Sequence, residues 1–383
     1  MNDAIDFNDI LHRMMEHKRL GTTDSAADIY EMDVAQYTDP RLFAQEIEHI
    51  FRRTPLLVGF GSDLASPGSY KTMDIAGVPL LVVRGDDSVV RAFINVCPHR
   101  GATVVTDESG CKRRFSCPFH AWTFNTRGAL IGVSEGASFG AFDKSGRGLT
   151  PLPCEERDGL VWVVLSPDGT LDLDTFLGPL GAELAGFDFA SAKPAAVRVL
   201  DGANWKIAMD TYLENYHLAA LHPTTFAKLA ISNMALFDSY GLHQRMVSPR
   251  KTIREFDDVD AIANPFQVLS LNYMIFPNTI LLVSPEAAML SRVVPGKDEN
   301  SSITVQEHFS FTSLDDEDRR AAFDARVETT VKAVATEDYW ITDGVQKGLR
   351  SNAVKTFLFG RNEIGLQNFH RQLDRAAEAF PAA

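Results

Sequence analysis

Asn95–Gly101, NVCPHRG, and Ser116–Trp122, SCPFHAW, decide how this chain is read. They place Cys97 with His99 and Cys117 with His120, at Cys-x-His and Cys-x-x-His spacing, so each stretch offers one thiolate and one imidazole. Two thiolates and two imidazoles can hold a two-iron, two-sulfur cluster with both histidines on one iron. Imidazole in place of thiolate raises the reduction potential to roughly −150 to +300 mV. A structural zinc site also takes Cys2His2, but zinc fingers pair Cys with Cys and His with His at short spacing, whereas here each pair mixes the two. The cluster reading predicts one-electron transfer.

Outward from these stretches, residues 54–165 read as short strands and turns: LLVGF, the Pro67-Gly68 turn, GVPLLVVRGDDSVVRAFINV and GLVWVVL. That is the size of one small antiparallel β domain, with the ligands at loop tips where a rigid scaffold presents functional groups. The polar connector SPDGTLDLD begins a second domain over 166–383, with a helix near Asn204, strands in LNYMIF, TILLVS and SSITVQEHFSFTS, and a long helical region over 317–350. Residues 1–53 read as helices too few for a core of their own, so they are expected to pack on the second domain with the β domain inserted between. The expected fold class is α+β.

The 383 residues, 45% hydrophobic and 23% charged, fit a globular chain of two domains. No apolar run approaches ~20 residues and the opening segment mixes charge into every turn, which predicts a cytoplasmic protein with no membrane partner. A net charge of −14 argues against nucleic acid, which needs clustered Lys and Arg. Cys111 and Cys154 are too few for a disulfide framework and are expected to be ordinary thiols.

A second site is expected in NWKIAMDTYLENYHLAALHP. Asp210, Glu214 and His217 are four and three apart, so one helix puts them on one face, opposite Trp205, Ala208 or Met209, Tyr212 and Tyr216. Pro223 should end that helix near Leu221 and let His222 turn back toward His217. A third ligand is sought in the stripe Val327, Val331, Val334, Ile341 and Val345, where Asp338 falls as a buried carboxylate needing a partner. Glu337 competes for that role; Asp338 is preferred for its place on the stripe. His217, His222 and Asp338 make a 2-His-1-carboxylate set, the arrangement of non-haem Fe(II) enzymes that activate O2. Asp210 is expected to be a solvated or structural carboxylate.

With these motifs in order, nearly the whole chain resembles the Rieske non-haem iron oxygenases, in their terminal (α) component of the aromatic-ring-hydroxylating dioxygenase type. The resemblance rests on CxHR and CPxHxW with Pro98, Pro118, Arg100, Gly101 and Trp122, on Asn204-Trp205-Lys206, on Glu214-x-x-His217-x4-His222-Pro223, and on Glu337-Asp338 followed by Gln346, Gly348 and Leu349. Ala121 stands where the family more often has Gly. The resemblance implies a Rieske domain with a [2Fe-2S] cluster on Cys97, His99, Cys117 and His120. It also implies a helix-grip, START-like catalytic domain with a mononuclear Fe(II) on His217, His222 and Asp338. It implies a homotrimer in which the cluster of one subunit serves the iron of the next. Glu214, where the family usually has Asp, then bridges His217 and His120 of the partner subunit.

O2 is the implied cosubstrate. NAD(P)H acts indirectly through a separate reductase, with or without a ferredoxin, since no GxGxxG follows a strand and no GxxxxGK[ST] occurs here. The activity implied first is hydroxylation of an apolar, aromatic small molecule in aromatic hydrocarbon catabolism. The alternative is a monooxygenase removing N- or O-alkyl groups, including from quaternary ammonium compounds, which an aromatic cage would hold by cation–π contacts. Phe226, Phe237, Tyr240, Phe266, Tyr273, Phe276, Tyr339 and Trp340 are the candidates for such a cage, with core packing the expected use of most. The rival class is a Rieske electron carrier, which would need the β domain alone and hold two irons instead of about three.

Overall fold

A computed structural model describes residues 2–379. The chain divides into two compact units, one of Phe51–Leu173 with Asp188–Ser191, the other of the residues up to Ile50, Asp174–Phe187 and those from Ala192 onward.

The smaller unit is antiparallel throughout. Its five-stranded sheet runs Pro151–Leu152, Val90–Ile94, Val78–Arg84, Ser69–Ile75, Ser109–Cys111. Two three-stranded sheets, Cys154–Arg157 with Leu160–Val163 and Leu56–Phe60, and Arg114–Ser116 with Thr123–Asn125 and Leu130–Gly132, complete it. Tyr70, Leu81, Phe93, Phe115 and Phe124 form a core that also takes in Cys97, Cys117 and Trp122, so both cysteines sit in packed surroundings.

In the larger unit, seven antiparallel strands lie in the order Lys193–Gly202, Ser302–Ser310, Ala287–Pro295, Thr279–Val283, Leu269–Ile275, His243–Pro249, Leu236–Tyr240. Side chains alternate across a strand. One face carries Arg245 and Tyr273, directly paired, and both reach the buried carboxylate of Glu183 in the 174–187 segment. The other face carries Ser291 and Gln306, which bond the hydroxyl of Tyr212, just past the helix Trp205–Asp210. Mixed helices and antiparallel sheet make the chain α+β, as expected from the sequence.

Three local expectations need correction. The first 50 residues are not all helical: Tyr30–Asp33 is a strand pairing with Thr356–Phe359, a partner too distant in sequence for any local pattern to reveal. The helix expected through Leu221 is broken. It stops at Asp210, and a second begins at Leu218, because Asn215 turns inward to bond the Met234 carbonyl and the Ser248 hydroxyl. Tyr216, placed on the apolar face by an unbroken helix, is consequently 59% exposed.

The long C-terminal helix passes through a π turn at Val334–Asp338. One extra residue in a turn rotates the downstream helix by about 100°. Beyond it the buried positions are Tyr339, Thr342, Gln346 and Leu349, and Ile341 of the expected stripe is 39% exposed. Among the described residues no helix is long and apolar enough to cross a membrane.

Candidate metal centres

The two cysteine loops are built alike. The Cys97 amide donates to Ala102 O and the Gly101 amide to Cys97 O; the Cys117 amide donates to Trp122 O and the Ala121 amide to Cys117 O. Each loop thus closes four residues after its cysteine on a left-handed residue, Gly101 at φ 77 and Ala121 at φ 54. That conformation is natural for glycine and costs an alanine roughly 1–2 kcal/mol, so Ala121 keeps the loop shape under strain.

Cys97 and Cys117 are 2% and 3% exposed, and burial, with the neighbouring Cys117 thiol, pushes the Cys97 thiol up. The His99 and His120 ring centroids lie 4.7 Å apart, His99 stacks on Trp122, and His120 Nδ1 is buried with no hydrogen-bond partner among the described residues. Two thiols and two imidazoles brought together, one with an orphaned ring nitrogen, fit a [2Fe-2S] cluster. Cys111 and Cys154 are free thiols, the first exposed; burial and the acidic Glu156 push Cys154 up to about 12.

In the larger unit, one ligand atom from each of His217, His222 and Asp338 lies within 4.8 Å of the others. His217 stands at the start of the Leu218–Leu221 helix, and Glu214 fixes it twice, accepting from the His217 amide at 3.1 Å and from its ring Nδ1. His222 follows that helix with φ −112 and ψ 41, out of helical geometry as the residue before a proline should be. Its Nε2 lies 3.0 Å from Asp338 Oδ1, while its Nδ1 is bonded by Glu337 Oε2.

Glu337 also accepts from Thr225 Oγ1 at 2.6 Å. Consecutive acidic residues therefore divide two tasks: Asp338, 4% exposed, faces the shared point, and Glu337 orients an imidazole from behind. Burial pushes the Asp338 carboxyl up. Burial acts the same way on Glu337, but bonds from Thr225 and His222 outweigh it and hold that carboxyl low. His222 is pulled down by burial yet ends above its ordinary value because Asp338 and Glu337 flank it, a field that favours positive charge at this point. The donor set fits a mononuclear Fe(II) with open positions.

The surrounding motif residues have structural duties. Lys206, 1% exposed, pairs with Glu46, which also accepts from Trp205 Nε1 at 2.9 Å. Gln346 Oε1 accepts from the Asn204 amide at 3.0 Å, tying the helix after Asp338 to the one before His217. Asp210 accepts from Tyr37 Oη at 2.6 Å and from His370 at 2.9 Å, a structural carboxylate. A recess of about 430 Å³ opens beside it, lined by Ile207, Glu214, His217 and Phe359 among others.

Of the eight aromatic candidates, Phe226 packs edge-on against His222 and Tyr339 follows Asp338, whereas Tyr240 and Tyr273 bind Glu183 and Phe266 packs on Phe7. Phe276 is 1% exposed and Trp340 is 67% exposed. Sequence reasoning weighed Glu337 only as a rival ligand and missed Thr225 and Glu46, which no local pattern marks.

Residues 54–143 match the family model for the Rieske [2Fe-2S] domain, and residues 189–379 that for the ring hydroxylating alpha subunit (catalytic domain). The chain is 30% identical over 353 residues to the carnitine monooxygenase oxygenase subunit of Escherichia coli K12, covering 88% of this chain and 91% of that one. It is 36% identical over 189 residues to the glycine betaine monooxygenase oxygenase subunit of Chromohalobacter salexigens, covering 49% of this chain and 42% of that one.

The structure of a quaternary ammonium Rieske monooxygenase with L-carnitine bound aligns at TM-score 0.78 and 26% identity, over 91% of this chain and 96% of that one. Naphthalene 1,2-dioxygenase from Rhodococcus sp., at TM-score 0.70 and 17% identity over 97% and 98% of the two chains, shares the fold. The chain belongs to the Rieske non-haem iron oxygenases, as the oxygenase subunit of a multicomponent system that receives its electrons from a reductase.

Proposed function

We propose that this chain is a Rieske monooxygenase component that oxidises a small quaternary ammonium compound. It is the alternative named from the sequence, preferred here over an aromatic hydrocarbon. The observation that carries it is the relationship to a carnitine monooxygenase subunit across nine-tenths of both chains, supported by the glycine betaine relative.

In this reading Cys97, His99, Cys117 and His120 hold the cluster, and His217, His222 and Asp338 hold the iron. The cluster supplies single electrons, and the iron, with O2, the oxidising power. The protein's own work is positional. Glu214 and Glu337 accept the Nδ1 protons of His217 and His222, which fixes the tautomer that leaves each Nε2 free to bind metal. Asp338 supplies the negative charge that keeps a divalent ion in a buried site.

Glu214 also borders the open recess, so we assign it the bridge to His120 of the partner subunit in a homotrimer. The reductase, with or without a ferredoxin, is the other partner. The protein is assigned to the cytoplasm.

The test is to reduce the iron-replete protein and add 18O-labelled O2 with L-carnitine, γ-butyrobetaine, glycine betaine, anthranilate or naphthalene. Cluster reoxidation accelerated by a quaternary compound, with one labelled atom in the product, is expected. Two labelled atoms in an aromatic product, with the quaternary compounds inert, overturns the proposal.

A further inference from the structure

The sheet face turned toward Tyr212 carries more polar groups than the fold needs. Direct antiparallel pairing puts Asn272, Leu282, Met289 and His308 in one row across four adjacent strands, each opposite the next. Gln306 lies two residues along the strand from His308, on the same face, opposite Ser291. The connection leading to His217 touches this face: Tyr212 Oη accepts from Gln306 Nε2 at 3.1 Å and Ser291 Oγ at 3.2 Å, and the Tyr212 carbonyl accepts from Asn272 Nδ2 at 2.9 Å. Tyr339, next to Asp338, bonds Thr304 of the same strand.

Five side-chain atoms of this face are nonetheless buried with no hydrogen-bond partner among the described residues: Gln244 Oε1, Asn272 Oδ1, Ser302 Oγ, Gln306 Oε1 and His308 Nε2; of these, Asn272 and His308 lie in the one row, with Gln306 beside it. Gln306 is 0% and His308 6% exposed. An unpaired buried polar atom costs about 1–3 kcal/mol, so five on one face are a standing cost to the fold. Because Asn272 Nδ2 donates to a carbonyl, its amide orientation is fixed and Oδ1 is a true free acceptor. Burial, then Arg198 and Arg326, push His308 down to about 4, so its ring is neutral in ordinary buffers and can accept or donate. The opposite face leaves no such surplus at Tyr273 and Arg245, both bonded to Glu183.

We propose that Asn272, Gln306 and His308 form the substrate-recognition row of this enzyme, around an apolar floor of Leu282 and Met289, and that its substrate carries a hydrogen-bond donor, a hydroxyl or N–H, instead of being a bare hydrocarbon or an alkylammonium chain without one. The row spans three strand spacings, about 14 Å, enough to hold a short chain lengthwise. A site built to bond a hydroxyl discriminates strongly against the analogue lacking it, because its own polar groups are then left unpaired. This rests on the oxygenase reading for the claim that substrate meets this face, not on the quaternary ammonium reading.

The experiment compares matched pairs: L-carnitine with γ-butyrobetaine, which differ by one hydroxyl, and 1-naphthol with naphthalene. Wild type, Asn272→Leu and His308→Leu are followed by substrate-stimulated cluster reoxidation, and melting temperature is measured without substrate. Expected is a preference in kcat/KM for the hydroxyl-bearing member of at least about tenfold, lost in the variants through KM with kcat retained.

If only the naphthol pair responds, with that preference, the row stands and the quaternary ammonium reading falls. A wild-type enzyme blind to the hydroxyl, or a preference unchanged in both variants, overturns the row. Should neither pair be turned over, the melting temperature decides: His308→Leu removes an unpaired polar atom and should melt higher than wild type, and a lower melting temperature makes His308 a structural group and overturns the row.

Discussion

Removing the charge of Glu337 tests the division of labour between consecutive carboxylates. Glu337 bonds His222 Nδ1 and the Thr225 hydroxyl, while Asp338 Oδ1 lies 3.0 Å from His222 Nε2 and 3.7 Å from His217 Nε2. Glu337→Gln keeps the shape and an acceptor oxygen but loses the charge that fixes the ring and raises its basicity. Partners behind a metal-ligating histidine are worth roughly 10–100-fold in metal affinity, about 1.4–2.7 kcal/mol.

Asp338→Asn removes a charged ligand and should abolish the mononuclear iron while the cluster keeps its visible absorption. The assay is anaerobic titration of iron-stripped protein with Fe(II) against a competing chelator, the cluster absorbance serving as internal measure of intact protein. Wild-type affinity in Glu337→Gln would refute the orienting role. Iron retained by Asp338→Asn and lost from Glu337→Gln would show that the two carboxylates had been assigned the wrong way round.

Other consequences are equally open to measurement. Lys206→Met leaves Glu46 buried beside Trp205 Nε1 alone and should destabilise the larger unit by about 3–5 kcal/mol in denaturant melts; adding Glu46→Leu should recover most of the loss, and an additive double variant contradicts the pairing. Glu214→Gln, reloaded with Fe(II) to wild-type iron content, should turn over about 10–100-fold more slowly, with normal turnover removing the proposed bridge.

His243 accepts from the Phe276 amide and donates to Phe176 O, and burial pushes it down to about 4. Below its ordinary value of about 6.5 the unfolded chain takes up a proton the folded one refuses, so stability is lost as pH falls from about 6.5 to 4, by up to about 3 kcal/mol. A His243→Gln variant should show a flatter decline in melting temperature over that range. A chelator should remove about one iron per chain and leave about two, countable by metal analysis.

Much of both centres could be read before any coordinates because each lies in short contiguous motifs. Cys97, His99, Cys117 and His120 sit on two turns whose shape depends on their own few residues and the left-handed positions of Gly101 and Ala121. His222 turns back because Pro223 follows it, also a local effect. What local periodicity promised and the fold withheld came from partners far along the chain. Asn215 breaks the helix before His217 by bonding Met234 and Ser248, and the π turn at Val334–Asp338 shifts the buried face by one residue.

The family and the fold class were therefore legible in the linear chain, and the His217, His222 and Asp338 set it suggested comes together in the structure. Spacing of a few residues is enough to bring ligands together, and a lone carboxylate on an apolar stripe announces a partner. Three further facts needed the folded molecule: that Glu337 bonds His222 and Thr225 from behind, that Lys206 pairs with Glu46 some 160 residues away, and that Asn272, Gln306 and His308 share one face. They depend on strand register and on burial among distant segments, and no single stretch of sequence encodes its neighbour across a sheet.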